Sequence, residues 1–170
     1  MNIKEYEAAL NEPLRHVTLT LLLDNNRILL AMKKRGFGVG KWNGVGGKTD
    51  LGESDLDAAI RETEEEIGVT PENLEKVCVI NFYHPQNLDG KGLNQQVHVF
   101  IVRDWIGDPI ETEEMKPQWF IFDDIPYKDM WWDDEIWFPI ILSGSKVKAS
   151  FMFDENENII DQILEIVDEV

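Results

Sequence analysis

Three glutamates in the segment of residues 47–69 have the spacing of a metal site. On a helix with about 3.6 residues per turn, Glu62, Glu65 and Glu66 fall within about 100° of arc, so their carboxylates share one face. Like charges at this spacing weaken an isolated helix, and a divalent cation would relieve the repulsion between them. Mg²⁺ prefers carboxylate oxygens together with water and substrate phosphates. The spacing therefore indicates a magnesium site that could act on a phosphorylated substrate.

The residues around these glutamates predict a helix with defined ends. Ser54 is a suitable N-cap, with Asp57 as its capping-box partner at the third helical position. Gly68 stands where a left-handed residue commonly ends a helix. A separate stripe at helical spacing is predicted to face the core and consists of Leu56, Ile60, Thr63 and Ile67. The helix would thus present carboxylates on one face and pack by another.

An acidic helix face by itself is more often a solvated surface than a metal site, because short patterns recur by chance. Here the flanking residues extend the pattern to G-x5-E-x7-R-E-U-x-E-E-x-G-U, in which U is a bulky apolar residue. The matching positions are Gly47, Glu53, Arg61, Glu62, Glu65, Glu66, Gly68 and Val69. At background frequencies of roughly 5–7% per residue, this coincidence arises on the order of once in a million chains. The segment resembles the box of the Nudix hydrolases, metal-dependent enzymes acting on nucleoside diphosphates linked to another group.

The resemblance implies roles for individual residues. The implied ligands of Mg²⁺, for which Mn²⁺ could substitute, are Glu62, Glu65, Glu66, Glu114 and the carbonyl of Gly46. Arg61 is expected to orient the glutamates, and Glu53 to support either the box geometry or the metal shell. Which glutamate serves as general base stays open. Thr63 stands where the family has a bulky aliphatic residue, so we expect a small packing defect there.

The composition favours one ordered domain over residues 1–170, with residues 1–15 as a peripheral N-terminal extension. A chain of 170 residues with 43% hydrophobic residues can bury a single sizeable core. No apolar run approaches the ~20 residues of a membrane span, and the N-terminus lacks the apolar core of a signal peptide. We therefore expect no membrane association, and we take a monomer as the expected state.

The net charge of −17 disfavours binding of long nucleic acid, whose phosphates need a basic surface. A single nucleotide stays compatible, because a bound metal can neutralise its charge locally. Cys78 is the lone cysteine and is expected to be a buried small hydrophobe, which makes a reducing cytoplasm the default location. The sequence separation of His16, His84 and His98 does not suggest a zinc site, and each is interpreted as structural or surface.

The order of the predicted elements indicates a layered fold. Strands are predicted over residues 16–23, 27–34, 77–83, 97–104, 118–122, 147–153 and 159–167. Besides the box helix, helices are predicted over residues 1–12 and 134–142, and loops over residues 35–45 and 85–94. Strands before, between and after helices favour α/β or α+β layering. The Nudix resemblance implies an α/β/α sandwich with a mixed β-sheet.

Two longer segments narrow the resemblance within that family. MKKRGFGVGKWNGVGGK at residues 32–48, and EMKPQWF with IPYKDMWWDDEIWFP at residues 114–139, are similar to the MutT-homologue enzymes of animals. The similarity covers residues 16 to about 167. It implies hydrolysis of oxidised purine nucleoside triphosphates, such as 8-oxo-dGTP and 2-hydroxy-dATP, to the monophosphate and pyrophosphate.

In those relatives the purine occupies a pocket lined by aromatic side chains. The residues that the matching motifs place at the base are Asn43, Trp131, Asp133 and Asp134, with Phe37 and Phe82 lining the pocket and Thr18 and Lys33 near the base or sugar. Trp131 can stack on a purine face. Two adjacent aspartates in a pocket cannot both ionise cheaply, so one is expected to stay neutral and donate a hydrogen bond.

Simpler interpretations of the same residues exist. Asp133 and Asp134 could form a helix N-cap, and Trp131, Trp132 and Trp137 could all be core residues. We assign Trp131 to base stacking and Trp137 to packing. Trp132 also departs from the relatives, which have a proline at this position, so it could change the base preference.

Three functions stay open from the sequence. The first is the oxidised-purine phosphohydrolase, and the second is a Nudix enzyme for dinucleoside polyphosphates or ordinary purine triphosphates. The third is a nucleotide sensor with little turnover, which the intact glutamates disfavour. The loop of residues 85–94 is longer than in the relatives, and it could reshape the pocket rim.

Overall fold

The computed structural model describes residues 1–86 and 94–170, and a mixed β-sheet forms its centre. The elements follow one another as α1 (Ile3–Ala9), β1 (Arg15–Asp24), β2 (Arg27–Lys33), β3 (Trp42–Asn43), α2 (Asp55–Ile67), β4 (Thr70–Glu72), β5 (Glu75–Tyr83), β6 (Gln95–Val102), β7 (Asp104–Ile106), β8 (Met115–Ile121), α3 (Asp134–Leu142), β9 (Lys146–Phe153) and β10 (Ile159–Val167). Short 3₁₀ turns occupy Phe122–Asp124 and Tyr127–Asp129.

The sheet has the strand order β10-β9-β5-β6-β1-β2-β3, and β8 also pairs with β2. The pairs β1–β6 and β5–β9 are parallel, whereas β1–β2, β2–β8, β5–β6 and β9–β10 are antiparallel. Strands β4 and β7 form a separate two-stranded ribbon. This mixed arrangement confirms the fold class that the sequence predicts.

The segment of residues 42–48 enters a gap between two strands of this sheet. Strands β1 and β2 pair only near their hairpin turn, where the last matched residues are Leu22 and Leu29. Beyond that point Asn43 pairs with Ala31 of β2, while Val45 forms a bridge with Thr20 of β1. The sheet therefore opens to admit the segment that precedes the glutamate-rich helix, and this opening places that segment beside β1.

Helices cover both faces of the sheet. Trp137, Phe138 and Ile141 of α3 pack in one cluster with residues such as Leu21 of β1. Because neighbouring strand residues point to opposite faces, Leu22 lies on the other side, where it packs with Ile67 of α2. Two layers of helix thus enclose the sheet, as the predicted α/β/α sandwich requires.

The helix predicted over residues 1–12 is present as α1 and ends at Ala9. Asn2 caps it, and the side chain of Glu5 completes a capping box. Ile3 is fully buried in a small cluster with Tyr83 and Met152, on the sheet face opposite α3. This helix therefore adds to the packed layer that also contains α2.

Cys78 is buried, as expected, and burial raises the pKa of its thiol. Within residues 1–86 and 94–170, no helix is long and apolar enough to cross a membrane. Most of the predicted loop of residues 85–94 lies outside the described residues.

Candidate active site

The glutamate-rich helix α2 has the ends that the sequence predicts. The side chain of Ser54 accepts a hydrogen bond from the backbone N–H of Asp57 at 3.0 Å. Gly68 ends the helix with a left-handed φ of 71°, a conformation that glycine adopts without steric cost. These caps fix where α2 begins and ends and therefore which way each glutamate points.

The predicted core stripe of α2 is partly wrong. Thr63 and Ile67 are fully buried as expected, but Leu56 is 45% exposed, and Ala59 is buried instead. The buried face is rotated toward Glu66, which is itself only 6% exposed. The rotation moves Leu56 out of the core and brings one acidic edge of the helix under the segment of residues 44–48.

Arg61 holds several carboxylates of this site in place. Its Nε and Nη2 atoms donate to the two oxygens of Glu53 at 2.8 and 2.9 Å. Its Nη1 atom donates to Glu62 at 2.9 Å and to Glu65 at 3.4 Å, and Nη2 also reaches the carbonyl of Lys48. The hydrogen bond from Arg61 lowers the pKa of Glu53 to about 2. Arg61 therefore contacts Glu53 on one side and the glutamate face on the other.

Glu66 is tied to the segment that enters the sheet. Its carboxylate accepts a hydrogen bond from the backbone N–H of Gly46 at 3.1 Å. Burial, together with smaller effects of the charges of Glu62 and Glu114, raises the pKa of Glu66 to about 8, although the hydrogen bond from Gly46 and the charge of Lys33 oppose the shift. The surroundings of Glu66 therefore disfavour its charged form.

Two more carboxylates face the same space. Burial raises the pKa of Glu62, although the hydrogen bond and charge of Arg61 oppose the shift, and the charges of Glu65 and Glu114 add to it. Glu114 directly precedes β8, where its carbonyl accepts from the N–H of Lys34 at 2.8 Å, and its side chain pairs with Arg35 at 3.0 Å. The structure therefore brings Glu114 near Glu62 and Glu66, although it lies about fifty residues away in sequence.

A cavity of about 480 Å³ lies along the sheet, and its lining includes Gly46, which contacts Glu66. All eight residues predicted to contact substrate line it, together with Gly46, namely Thr18, Lys33, Phe37, Asn43, Phe82, Trp131, Asp133 and Asp134. They come from β1, β2, β3 and β5, from the loop between β2 and β3, and from the start of α3 with the residues just before it. The predicted substrate residues therefore share one cavity with the loop that contacts Glu66.

Asp133 and Asp134 form the most deeply buried charged pair in this cavity. Each is 3% exposed. Asp133 accepts from the indole N–H of Trp137 at 2.9 Å, and Asp134 accepts from the backbone N–H of Trp131 at 3.2 Å. Asp133 occupies the N-cap position of α3, yet its side chain makes no capping hydrogen bond. A simple helix cap therefore does not account for the pair.

The two aspartates differ in their protonation. Burial raises the pKa of Asp133 to about 6, although the hydrogen bond from Trp137 opposes the shift. Burial, and then the charge of Asp133, raise the pKa of Asp134 well above its ordinary value. The environment therefore favours the protonated form of Asp134 more strongly than that of Asp133.

Trp131 and Asn43 line the same cavity as this acidic pair. The ring of Phe37 stacks on Trp131 with centroids 5.2 Å apart, and the ammonium of Lys41 lies 4.9 Å from the Trp131 ring centroid. The side-chain oxygen of Asn43 accepts from the N–H of Gly44 at 2.8 Å. This bond leaves the amide NH₂ of Asn43 as a donor toward the cavity.

Comparison with known proteins assigns the family. The family model for the NUDIX domain matches residues 13–139. The chain belongs to the NUDIX family. It is 44% identical over 154 residues to the oxidized purine nucleoside triphosphate hydrolase of Mus musculus, covering 91% of this chain and 96% of that protein. The protein of the same name from Danio rerio is 42% identical over the same shares of both chains. The crystal structure of a MutT protein from Bacillus halodurans superposes with a TM-score of 0.78 at 25% identity, covering 89% of this chain and 98% of that one.

The NUDIX glutamates fit a divalent cation. Glu62 and Glu66 are carboxylates whose charged form is opposed by burial and by neighbouring negative charge. A cation among them would compensate both effects and would be held by the hard oxygen ligands that Mg²⁺ prefers. The donor set is therefore consistent with the divalent metal ions that NUDIX hydrolases use.

Some residues of the NUDIX cavity were missed by the sequence reasoning. Lys41 approaches Trp131 and lowers the pKa of Asp134, and Trp137 contacts Asp133 as well as the core. Lys41 could have been suspected from its place in the matching segment of residues 32–48. The hydrogen bond from Trp137 to Asp133 could have been predicted only by noting that Trp137 lies one helical turn after Asp133.

Two of the three histidines, which are scattered in the sequence, meet in the structure. His16 and His98 are separated by 82 positions, yet their ring nitrogens lie 3.0 Å apart. They occupy neighbouring parallel strands, β1 and β6. His84 lies elsewhere, where its ring stacks on Phe153 at the edge of the cavity.

Proposed function

We propose that this NUDIX protein hydrolyses oxidised purine nucleoside triphosphates, such as 8-oxo-dGTP and 2-hydroxy-dATP, to the monophosphate and pyrophosphate. One observation carries the proposal. A single cavity has buried, proton-sharing aspartates beside Trp131 at one end and the loop that contacts the box glutamates at the other. The relatives that share 42–44% identity over most of this chain are named for the same activity.

The aspartate end of the cavity suits an oxidised purine. A protonated Asp134 can donate a hydrogen bond to a carbonyl oxygen at the purine 6-position, whereas an ionised Asp133 can accept one from a 6-amino group. The NH₂ group of Asn43 supplies a further donor. Trp131 offers an aromatic surface for the base. These groups together can recognise both a guanine-type and an adenine-type edge.

The glutamate end of the cavity suits the triphosphate. We assign the metal shell to Glu62, Glu65, Glu66 and Glu114, with the Gly46 carbonyl as a further ligand and Mg²⁺ as the ion. A bound Mg²⁺ supplies charge neutralisation for phosphate oxygens and lowers the pKa of an attacking water. Arg61 keeps Glu62 and Glu65 in position through its hydrogen bonds. We therefore give Arg61 and Glu53 a positioning role.

Lys33 connects the two ends. It lines the cavity, and its charge lowers the pKa of Glu66, so its ammonium lies on the glutamate side. There it can contact a phosphate or the sugar. The basic groups that line the cavity attract a triphosphate locally, so it can enter the cavity although the chain has a net charge of −17.

A substrate panel tests this function. Hydrolysis of 8-oxo-dGTP, 2-hydroxy-dATP, dGTP, dATP and a diadenosine polyphosphate would be compared with MgCl₂ present, and the released pyrophosphate measured. The expected result is a higher kcat/KM for the two oxidised purines and loss of turnover in EDTA or in Glu66→Gln. Preference for dGTP or for the dinucleotide would assign a different substrate. Nucleotide binding without turnover would favour the sensor.

A further inference from the structure

A second group of potential metal ligands lies at the start of helix α2. His16 of β1, His98 of β6 and Asp55, the first residue of α2, converge there. His98 pairs with Thr18 in the parallel register of β1 and β6, and His16 lies two residues earlier. Because side chains two positions apart point to the same side of a sheet, both histidines face α2.

With one oxygen counted for Asp55, the three ligand atoms of this group all lie within 4.8 Å of one another. His98 Nε2 lies 3.0 Å from His16 Nδ1 and 3.3 Å from Asp55 Oδ2, and His16 Nδ1 lies 3.6 Å from Asp55 Oδ1. Zinc binds histidine nitrogen and carboxylate oxygen at about 2.0–2.2 Å, so tetrahedral ligand atoms lie roughly 3.3–3.5 Å apart. We propose that His16, Asp55 and His98 form a site for a divalent transition-metal ion such as Zn²⁺, with one position open to solvent.

The chemistry of this site differs from that of the glutamates. Imidazole nitrogen suits Zn²⁺, Cu²⁺ and Ni²⁺, whereas Mg²⁺ selects oxygen ligands. His98 is almost fully buried, whereas the His16 side chain is 49% exposed. An ion could therefore reach the site from the side of His16.

Two further residues act on Asp55. The hydroxyl of Thr49 donates to Asp55 Oδ1 at 3.3 Å and helps to orient the carboxylate. The ammonium of Lys76 lies 4.0 Å from Asp55 Oδ2. This positive charge competes with a metal ion for the same carboxylate. Removing the Lys76 charge is therefore expected to tighten metal binding.

Such an ion would have a structural rather than a catalytic effect. It would join β1, β6 and the beginning of α2, which are distant in sequence. Asp55 precedes Glu62 by seven positions, or about 10 Å along the helix axis at 1.5 Å per residue. A ligand that binds only the folded state stabilises it by mass action. The bound ion should thus raise the melting temperature without being required for turnover.

Zinc titration of tag-free, EDTA-stripped protein tests the proposal. Calorimetry with ZnCl₂ would be run in excess MgCl₂, which occupies the glutamates. One equivalent of Zn²⁺ is expected to bind the wild type and Glu66→Gln alike, whereas His16→Ala and His16→Gln should bind at least tenfold more weakly. The matched control is His84→Ala, which removes a histidine outside the group and should leave zinc binding unchanged. Lys76→Gln should bind zinc more tightly than the wild type.

Thermal unfolding supplies a second readout that is independent of activity. ZnCl₂ should raise the Tm of the wild type but not that of His16→Ala, and EDTA should reverse the rise. Equal Tm values of the two proteins in EDTA would show that the variant is folded. If His16→Ala binds zinc as tightly as the wild type, or if Glu66→Gln abolishes zinc binding, the site does not exist as proposed. The three residues would then form only a hydrogen-bonded cluster.

Discussion

A Cβ atom on Gly47 would lie 2.5 Å from the carboxyl carbon of Glu62 and within 2.7 Å of both of its oxygens. Because Gly47, the first glycine of the box, has no side chain, the Glu62 carboxylate can occupy the space beside it. Gly46, one residue earlier, meets a different group, because its Cβ would lie 1.8 Å from the carbonyl oxygen of Thr18. One glycine makes room for a side chain of the site and the other for the backbone of β1.

Gly47→Ala should therefore reduce turnover more than stability. The added methyl can be accommodated only by moving the Glu62 carboxylate, the far end of a flexible side chain, away from the proposed metal shell. We expect kcat to fall by about tenfold or more, with a Tm within a few degrees of the wild type. Steady-state kinetics and calorimetry would measure the two effects. Unchanged kcat would show that the position of Glu62 is not needed.

Gly46→Ala is the contrasting variant. Its methyl would collide with the backbone of β1, which cannot move aside without breaking the bridges that hold residues 42–48. We expect a loss of more than about 2 kcal/mol in the free energy of unfolding, measured by urea denaturation. A stability equal to that of Gly47→Ala would contradict this distinction.

Arg61→Lys should lower activity although it keeps the charge. Lysine cannot reproduce the planar donors that bind both oxygens of Glu53 and also reach Glu62. Loss of such positioning contacts in metal sites typically costs about 10- to 100-fold in activity. The matched control is Arg103→Lys, because Arg103 pairs with Glu75 at 3.5 Å on the exposed surface. Equal activity of both variants would remove the positioning role of Arg61.

Thr63→Val should be neutral or slightly stabilising. Thr63 is fully buried, and its hydroxyl donates to the carbonyl of Ala59 one helical turn earlier at 2.7 Å. That carbonyl also accepts the backbone hydrogen bond of the helix, so valine leaves it satisfied. We expect a change within about 1 kcal/mol by chemical denaturation, whereas Thr63→Ala should destabilise because it removes a buried methyl. A loss above about 2 kcal/mol in Thr63→Val would show that the hydroxyl is needed.

Local periodicity and capping patterns are why so much of α2 could be predicted from sequence. Ser54, Gly68 and the glutamate face depend only on neighbours within the same helix. The exposure of Leu56 could not be predicted in this way, since the rotation of the helix is set by its contact with residues 44–48. Strand β3 was missed because two residues are too few to produce an alternating pattern.

The properties of the histidines and the aspartates depend on contacts between residues that are distant in the sequence. His16 and His98 meet only because β1 and β6 are parallel with one particular register. The adjacency of Asp133 and Asp134 was visible in the sequence, but the raised pKa values depend on burial beneath the cavity. The NUDIX motifs singled out these two aspartates as candidates, whereas the physical reason for their raised pKa values came from the fold.

Asp134→Asn should stabilise the protein at high pH. Because burial raises the pKa of Asp134 in the folded state, the protonated form stabilises folding below the unfolded pKa of about 3.9. This stability is lost as the pH rises through the folded pKa. Asparagine stays neutral and can still accept from the N–H of Trp131. The Tm of the variant should therefore match the wild type near pH 4 and exceed it at pH 8, by about 2–4 °C for each kcal/mol. A difference that does not change with pH would contradict the raised pKa.

Base preference gives the sharpest test of the proton-sharing pair. If Asp133 and Asp134 together present either a donor or an acceptor to the purine 6-position, one cavity can take both oxidised guanine and oxidised adenine. Asp133→Asn and Asp134→Asn each fix a neutral group and remove that adaptability. Both variants should keep metal-dependent turnover, because neither residue contacts the glutamates. The ratio of kcat/KM for 8-oxo-dGTP to that for 2-hydroxy-dATP should change by roughly 5- to 150-fold, the equivalent of about 1–3 kcal/mol for a polar partner.

The control for this base-preference test is Asp129→Asn, which changes an exposed aspartate nearby and should leave the ratio unchanged. Unchanged ratios in both pair variants would limit the aspartates to a structural role at the start of α3.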